Sequence, residues 1–65
     1  MKRIYLDVAK KDSVHTMRML LDYLRAEGIE LAPYTYGTID EKHRHISRVY
    51  ADVPDDLDVT GWHSS

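Results

Sequence analysis

The sequence contains no cysteine, phenylalanine, asparagine or glutamine, and only three glycines and two prolines among its 65 residues. Without cysteine there is neither a disulfide nor the commonest form of structural zinc site, the two staples on which small domains usually rely. A chain of this length buries only about 60% of the surface its unfolded form exposes. Packing of a thin core has to hold it together, with self-association as an optional help. Gly28, Gly37 and Gly61 stand alone, which excludes a glycine-rich phosphate loop or a dinucleotide fingerprint. There is no thiol nucleophile, and no serine lies in a nucleophile-elbow context. No apolar run reaches membrane-spanning length. The first residues, Met1-Lys2-Arg3-Ile4-Tyr5-Leu6-Asp7, place an aspartate where a secretory leader needs its apolar stretch. These absences lead us to expect a cytoplasmic, single-domain, non-enzymatic protein with no cofactor.

Charge is unevenly placed. Residues 1–50 hold all nine Lys and Arg with seven Asp and Glu, a formal +2, whereas residues 51–65 hold Asp52, Asp55, Asp56 and Asp58 and no base, a formal −4. The net charge of −2 therefore combines a mildly basic body with an acidic tail. Neither part has the strongly basic balance of a duplex-DNA binder, and the whole is not acidic enough to imitate DNA.

Hydrophobic periodicity orders the chain. Over residues 2–9, Ile4, Leu6 and Val8 alternate with Arg3, Tyr5 and Asp7, the pattern of a half-buried strand. Asp12 or Ser13 can cap a helix over about 13–27, in which Val14, Met17, Leu20, Leu21 and Leu24 form one stripe and Gly28 supplies the left-handed stop. Period two returns at Ile29, with Ile29, Leu31 and Thr35 on one face and Tyr34 and Tyr36 on the other, and Pro33 marks an edge or a bulge. The stretch His43–Val53 fits two patterns. As a helix it has a capping box at Thr38-Ile39-Asp40-Glu41 and a stripe of Ile39, His43, Ile46, Tyr50 and Val53. As a strand it turns Ser47, Val49, Ala51 and Val53 inward and Arg44, Ile46, Arg48 and Tyr50 outward. The strand is favoured, because β-branched and aromatic residues dominate 46–53 and the first strand otherwise lacks a close antiparallel partner. Pro54-Asp55-Asp56 makes a turn, after which Leu57, Val59 and Trp62 pack back on the body or form a short edge strand. No internal repeat, linker or low-complexity segment stands out.

The expected fold is α+β: a two-layer β-α-β-β unit with one helix on a three-stranded sheet, domain residues 1–54, and residues 55–65 as an acidic C-terminal tail or edge strand. The second and third strands form an antiparallel hairpin, and the β-α-β crossover is right-handed. The unit resembles half of a ferredoxin-like fold, an architectural likeness that carries no sequence motif and implies no activity.

The face that the helix leaves open is the informative surface. Arg3, Tyr5, Tyr34, Tyr36, Thr38, Arg44, Ile46, Arg48 and Tyr50 all fall on it. Tyrosine and arginine together make the usual hot-spot chemistry of protein interfaces, and the same pair can hold single-stranded nucleic acid by stacking and phosphate contact. Tyrosines on an open sheet can also serve stability alone, by pairing across strands. A second strip on the helix, His15, Met19, Tyr23 and Ala26, lies opposite the core stripe and suits an adaptable contact. His43 and His45 are the weak candidates for metal, with His63 or Asp40 as a third ligand. The function expected is a small inhibitor or adaptor, of the size class found in phages and other mobile elements, that binds a larger protein through the tyrosine-arginine face, with a homodimer as a further option. The alternative is a module for single-stranded nucleic acid using the same face, weakly sequence-selective because it lacks the amide side chains that read adenine.

Overall fold

The computed structural model describes residues 1–35 and 45–64. It consists of β1 (Lys2–Ala9), a 3-10 turn at Lys10–Asp12, α1 (Ser13–Ala26), β2 (Tyr34–Thr35), β3 (Ile46–Val53) and β4 (His63–Ser64). The strands form one sheet in the order β2-β3-β1-β4, and every neighbouring pair is antiparallel. One helix with a four-stranded antiparallel sheet places the protein in the α+β class.

The central pair is β1 with β3, registered over its full length from Lys2 opposite Val53 to Ala9 opposite Ile46. This pairing settles the ambiguity of residues 46–53 in favour of the strand, since a helix there leaves β1 without its main partner. His43, Arg44 and the capping box of 38–41 lie outside the described residues. β1 and β2 are both antiparallel to β3, so they run parallel to each other with β3 inserted between them. Beside the three strands of the expected unit the sheet has a fourth, an edge strand, the second of the two readings given for residues 55–65. His63–Ser64 adds to the free edge of β1, with Tyr5 opposite His63 and Ile4 opposite Ser64. Two residues are too few to show a period, and only the partner strand reveals them.

Helix α1 stops as its sequence predicts. Gly28 has a φ of 77°, its N–H donates to the Arg25 carbonyl at 3.0 Å, and the Ile29 N–H donates to the Leu24 carbonyl at 2.8 Å. These two bonds are the Schellman arrangement, and they satisfy carbonyls that the helix end would otherwise leave open. Ile29 then packs against the core that contains Leu24, the apolar contact that accompanies such a stop. At the other end the expected cap is replaced. Neither Asp12 nor Ser13 caps the helix: the Asp12 side chain makes no capping bond, and the Ser13 hydroxyl donates back to the Lys10 carbonyl at 2.9 Å. The 3-10 turn leads straight into the helix and takes up the space an extended capping residue needs. The Lys10 N–H donates to the His45 carbonyl at 2.7 Å, tying this turn to the start of β3.

Ile4, Leu20, Leu24, Ala51 and Val53 form the buried core cluster, with Ile29, Leu57, Val59 and Trp62 packed against it. Val49 is buried as well. On the inner face of β3, Val49, Ala51 and Val53 are buried and Ser47 is half-buried, whereas on β1 only Ile4 is buried and Leu6 and Val8 are half-buried. Two stripe assignments need correction. Val14 is 67% exposed and Leu31 37% exposed. The helix turns its Leu20–Leu24 line toward the sheet, and at 100° per residue Val14 falls on the flank of that line in the first turn. Leu31 precedes the short strand β2 and has no sheet beneath it. Among the described residues no helix is long and apolar enough to cross a membrane.

The acidic end is not separate from the body. Asp52 pairs with Arg3 at 3.1 Å, and Asp58 lies 3.7 Å from the Lys2 ammonium. Asp58 is fully solvated, so this second pair contributes next to nothing to stability; the apolar contacts of Leu57, Val59 and Trp62 hold the segment.

Replacing Gly28 with Ala should cost about 1 kcal/mol. No atom lies within 4 Å of an added Cβ, so the whole loss comes from the positive φ. Urea midpoints should fall for Gly28→Ala and less for Gly28→Asn, which tolerates the left-handed region better; equal midpoints for all three proteins would contradict this account of the helix stop.

Candidate interaction surface

Residues 3–8 read Arg-Ile-Tyr-Leu-Asp-Val and residues 48–53 read Arg-Val-Tyr-Ala-Asp-Val. These are the central segments of β1 and β3, so the two strands at the middle of the sheet carry one pattern, Arg-x-Tyr-x-Asp-Val. Six residues are too short to stand out as a repeat in the sequence, where none was recognised. Antiparallel pairing gives the pattern its meaning: Tyr5 lies opposite Tyr50, Arg3 opposite Asp52 and Asp7 opposite Arg48. A local two-fold axis normal to the sheet passes between Tyr5 and Tyr50 and exchanges the two motifs.

The axis extends to the outer strands. Tyr34 on β2 is opposite Tyr50, and His63 on β4 is opposite Tyr5. Four rings, in the order His63, Tyr5, Tyr50, Tyr34, therefore cross the whole sheet in one row on the face away from α1. The Tyr34 and Tyr50 rings are stacked, with centroids 5.5 Å apart and planes 17° from parallel. Tyr5 and His63 meet at 5.3 Å with a tilt of 35°. Such contacts are each worth about 0.5–1.5 kcal/mol beyond the area they bury.

An ion pair borders the row on each side. Asp7 accepts two hydrogen bonds from Arg48, from Nε at 2.7 Å and from Nη2 at 3.0 Å, the bidentate geometry in which a planar guanidinium fits a carboxylate best. Hydrogen bonding to Asp7 is the main reason the Arg48 guanidinium is held above even its normal high pKa. A raised folded-state pKa means that on the alkaline side the associated stability is lost only in strongly alkaline solution, and on the acid side it lasts as long as the Asp7 carboxylate stays ionised. On the other side Arg3 Nε donates to Asp52 at 3.1 Å, and the Tyr34 hydroxyl donates to the second Asp52 oxygen at 3.4 Å. Both arginines also lean over rings. Arg48 lies 4.5 Å from the Tyr5 centroid, and Arg3 lies 5.9 Å from the centroids of both Tyr34 and Tyr50. The local two-fold makes Arg48 over Tyr5 the counterpart of Arg3 over Tyr50.

Of the residues assigned to this face, Tyr5, Tyr34, Arg48 and Tyr50 come together around the row, with Arg3 beside them. Ile46 lies at the far end of β3, opposite Ala9, away from the rings. Tyr36, Thr38 and Arg44 lie outside the described residues. Asp7, Asp52 and His63 belong to the surface and were not assigned to it; the repeated Arg-x-Tyr-x-Asp spacing is the signal that points to both aspartates. His63 sits in the ring row. His43 and Asp40 lie outside the described residues, and among the described residues no group of three His, Asp or Glu could hold a metal ion.

The helix strip is placed differently from its expectation. Met19 and Tyr23 do not lie opposite the core stripe. They flank it, and with Leu6, Thr16, Leu20, Val59 and Trp62 they line a shallow groove of about 270 Å³ between α1 and the 59–62 segment. The buried line runs through Leu20 and Leu24 rather than through Val14, which brings Met19 and Tyr23 to its shoulder. His15 and Ala26 are exposed.

No protein family, curated protein or solved structure matches this chain, so its chemistry is read from the surface itself.

A double-mutant cycle on Asp7 and Arg48 should return a measurable favourable coupling, because the pair is bidentate. The same cycle on Lys2 and Asp58 should return a value near zero, and Arg48→Lys should lose most of the Asp7 coupling because an ammonium cannot make the paired bonds. Equal couplings in the two cycles, measured by chemical denaturation, would contradict the role given to the bidentate geometry.

Proposed function

We propose that this is a small non-enzymatic interaction protein, an inhibitor or adaptor in kind, whose working surface is the open face of the sheet. The observation that carries the proposal is the row of four rings bordered by two ion pairs. Tyrosine and arginine are the residues in which interface binding energy concentrates, and here they lie on a rigid support instead of on loops. Each ring has its orientation set by a strand and a neighbour, so little side-chain freedom is left to lose on binding.

Charge decides between the two readings of the face. A single-stranded nucleic acid needs uncompensated positive charge along its backbone. Among the described residues the surface balances Arg3 and Arg48 against Asp52 and Asp7, each arginine within 3.1 Å of a carboxylate oxygen. A phosphate approaching either guanidinium also meets its aspartate. A neutral, patterned face of rings and fixed ion pairs favours a protein partner, for which complementary charge sets orientation.

The strand order supports a finer reading of the fold. In our reading the sheet is of ferredoxin-like arrangement, the unit β1-α1-β2 being answered across the local two-fold by β3, residues 54–62 and β4. A nine-residue segment then stands where the second unit would carry its helix, and residues 55–64 are part of the domain.

Replacing Tyr50 with Ala should reduce capture of a protein partner at least tenfold while leaving the far-ultraviolet circular dichroism spectrum intact. Tyr50→Phe should retain most of it. A labelled oligothymidine should show no salt-sensitive binding at low ionic strength. Tight, salt-sensitive binding of that strand, lost in Tyr50→Ala, would overturn the protein-interface reading in favour of nucleic acid.

A further inference from the structure

The distribution of charge on the open face bears on what can cover it. Arg3 and Asp7 stand on β1 either side of Tyr5, and Asp52 and Arg48 stand on β3 either side of Tyr50. Seen from outside, the four charges occupy the corners of a rectangle with like signs on the diagonals, a quadrupole centred on the local two-fold axis.

Such a pattern is complementary to itself. When a second copy is turned over onto the first about a two-fold axis along the ring row, Arg3 faces Asp7 of the other copy and Arg48 faces Asp52. When the axis runs along the strands instead, Arg3 faces Asp52 and Arg48 faces Asp7. Either way each positive corner meets a negative one, and the ring row lies against a ring row. Like charges meet only when the axis runs along a diagonal, where the corners do not superpose rings on rings. A closed two-fold pair of this kind uses one patch on both subunits, and aligned sheet-on-sheet packing is the ordinary way two such faces meet. A standard interface takes about 800 Å² from each partner, about a sixth of the 4751 Å² that this chain exposes, an area suited to one side of a two-layer domain.

We propose that the partner at the open sheet face is a second copy of this chain, packed face to face about a two-fold axis in the plane of the interface. The inference rests on the reading of that face as a protein-binding surface and names its occupant. The resulting dimer has four layers, helix-sheet-sheet-helix, with the rings enclosed at the centre and the four intrachain ion pairs linked across the interface.

The test inverts the quadrupole. The fourfold exchange Arg3→Asp, Asp7→Arg, Arg48→Asp and Asp52→Arg keeps every intrachain pair and reverses every corner. The inverted protein should self-associate as the wild type does, by sedimentation velocity over a concentration series. Mixed with a mass-tagged wild type, it should form heterodimers roughly tenfold or more below the statistical share by native mass spectrometry, because all four crossed contacts are then like-charged. Should the fourfold protein fail to fold, the single exchange Arg3→Asp with Asp52→Arg serves. It makes two of the four crossed contacts with the wild type like-charged about either axis, so its heterodimer with the wild type should dissociate at roughly tenfold higher concentration than the wild-type homodimer. Free mixing of the folded fourfold variant with the wild type overturns the inference, as does a heterodimer of the double variant that holds as tightly as the wild-type homodimer. So does a wild type that stays monomeric to millimolar concentration at low salt. That last result leaves the protein-interface reading standing if Tyr50→Ala still abolishes capture of another protein, and removes both if it does not.

Discussion

Tyr5 lies directly opposite Tyr50, and this register determines what every residue of the central strands can do. Side chains alternate along a strand, so a slip of one residue would turn the slipped strand over, carrying Ile4 of β1 or Val49 and Ala51 of β3 from the core to solvent and bringing that strand's arginine and aspartate beneath the helix. The inner face makes such a slip prohibitive, since burying unpaired charge costs far more than a small domain has in reserve. Packing beneath the sheet therefore positions the rings above it. The outer face adds its own preference for the same register, because Arg3 meets Asp52 and Arg48 meets Asp7 only there.

The two sides of the sheet differ in symmetry. On the open face the two motifs correspond residue for residue, down to an arginine over a tyrosine on each side, closer for Arg48 than for Arg3. Beneath the sheet they are not. Leu6 in the first motif corresponds to Ala51 in the second, and Ala51 is buried where Leu6 is half-buried. The smaller side chain suits the side of the sheet on which α1 lies close, and the larger one reaches out toward the groove shared with Val59 and Trp62. One helix cannot cover four strands, so Leu57, Val59 and Trp62 complete the layer without regular structure of their own.

Much of this was legible in the residues because burial and period coincide in the long elements. The alternation of 2–9 and 46–53 marks both central strands, the Leu20–Leu24 line marks the buried side of the helix, and Gly28 marks its end. The short elements were legible only in outline. Period two from Ile29 to Tyr36 and the edge-strand option for residues 55–65 pointed to them, but β2 and β4 are two residues each, too few for a pattern to fix their bounds. Val14 and Leu31 were assigned to the core by spacing alone, but spacing does not say where the opposing layer ends. On the surface, phase analysis placed Tyr5, Tyr34, Arg48 and Tyr50 together, while Asp7, Asp52 and His63 were missed because their roles depend on which residue stands across from them. That information belongs to the strand pairing.

The repeated motif has a consequence for chains that have not yet folded. Arg-x-Tyr-x-Asp is a charge palindrome: two copies of the same strand laid antiparallel put arginine against aspartate and tyrosine against tyrosine, as β1 and β3 do. The outer residues of β1 thus accept β1 or β3 of another molecule as readily as its own β3. Discrimination falls to the inner residues, where Ile4 faces Ala51 and Leu6 faces Val49 and where two identical strands would set large side chain against large. It falls also to the intervening chain, which keeps residues 3–8 and 48–53 at high effective concentration to one another. In crowded or concentrated solution that advantage shrinks, and strand exchange between molecules becomes the characteristic way for this fold to go astray.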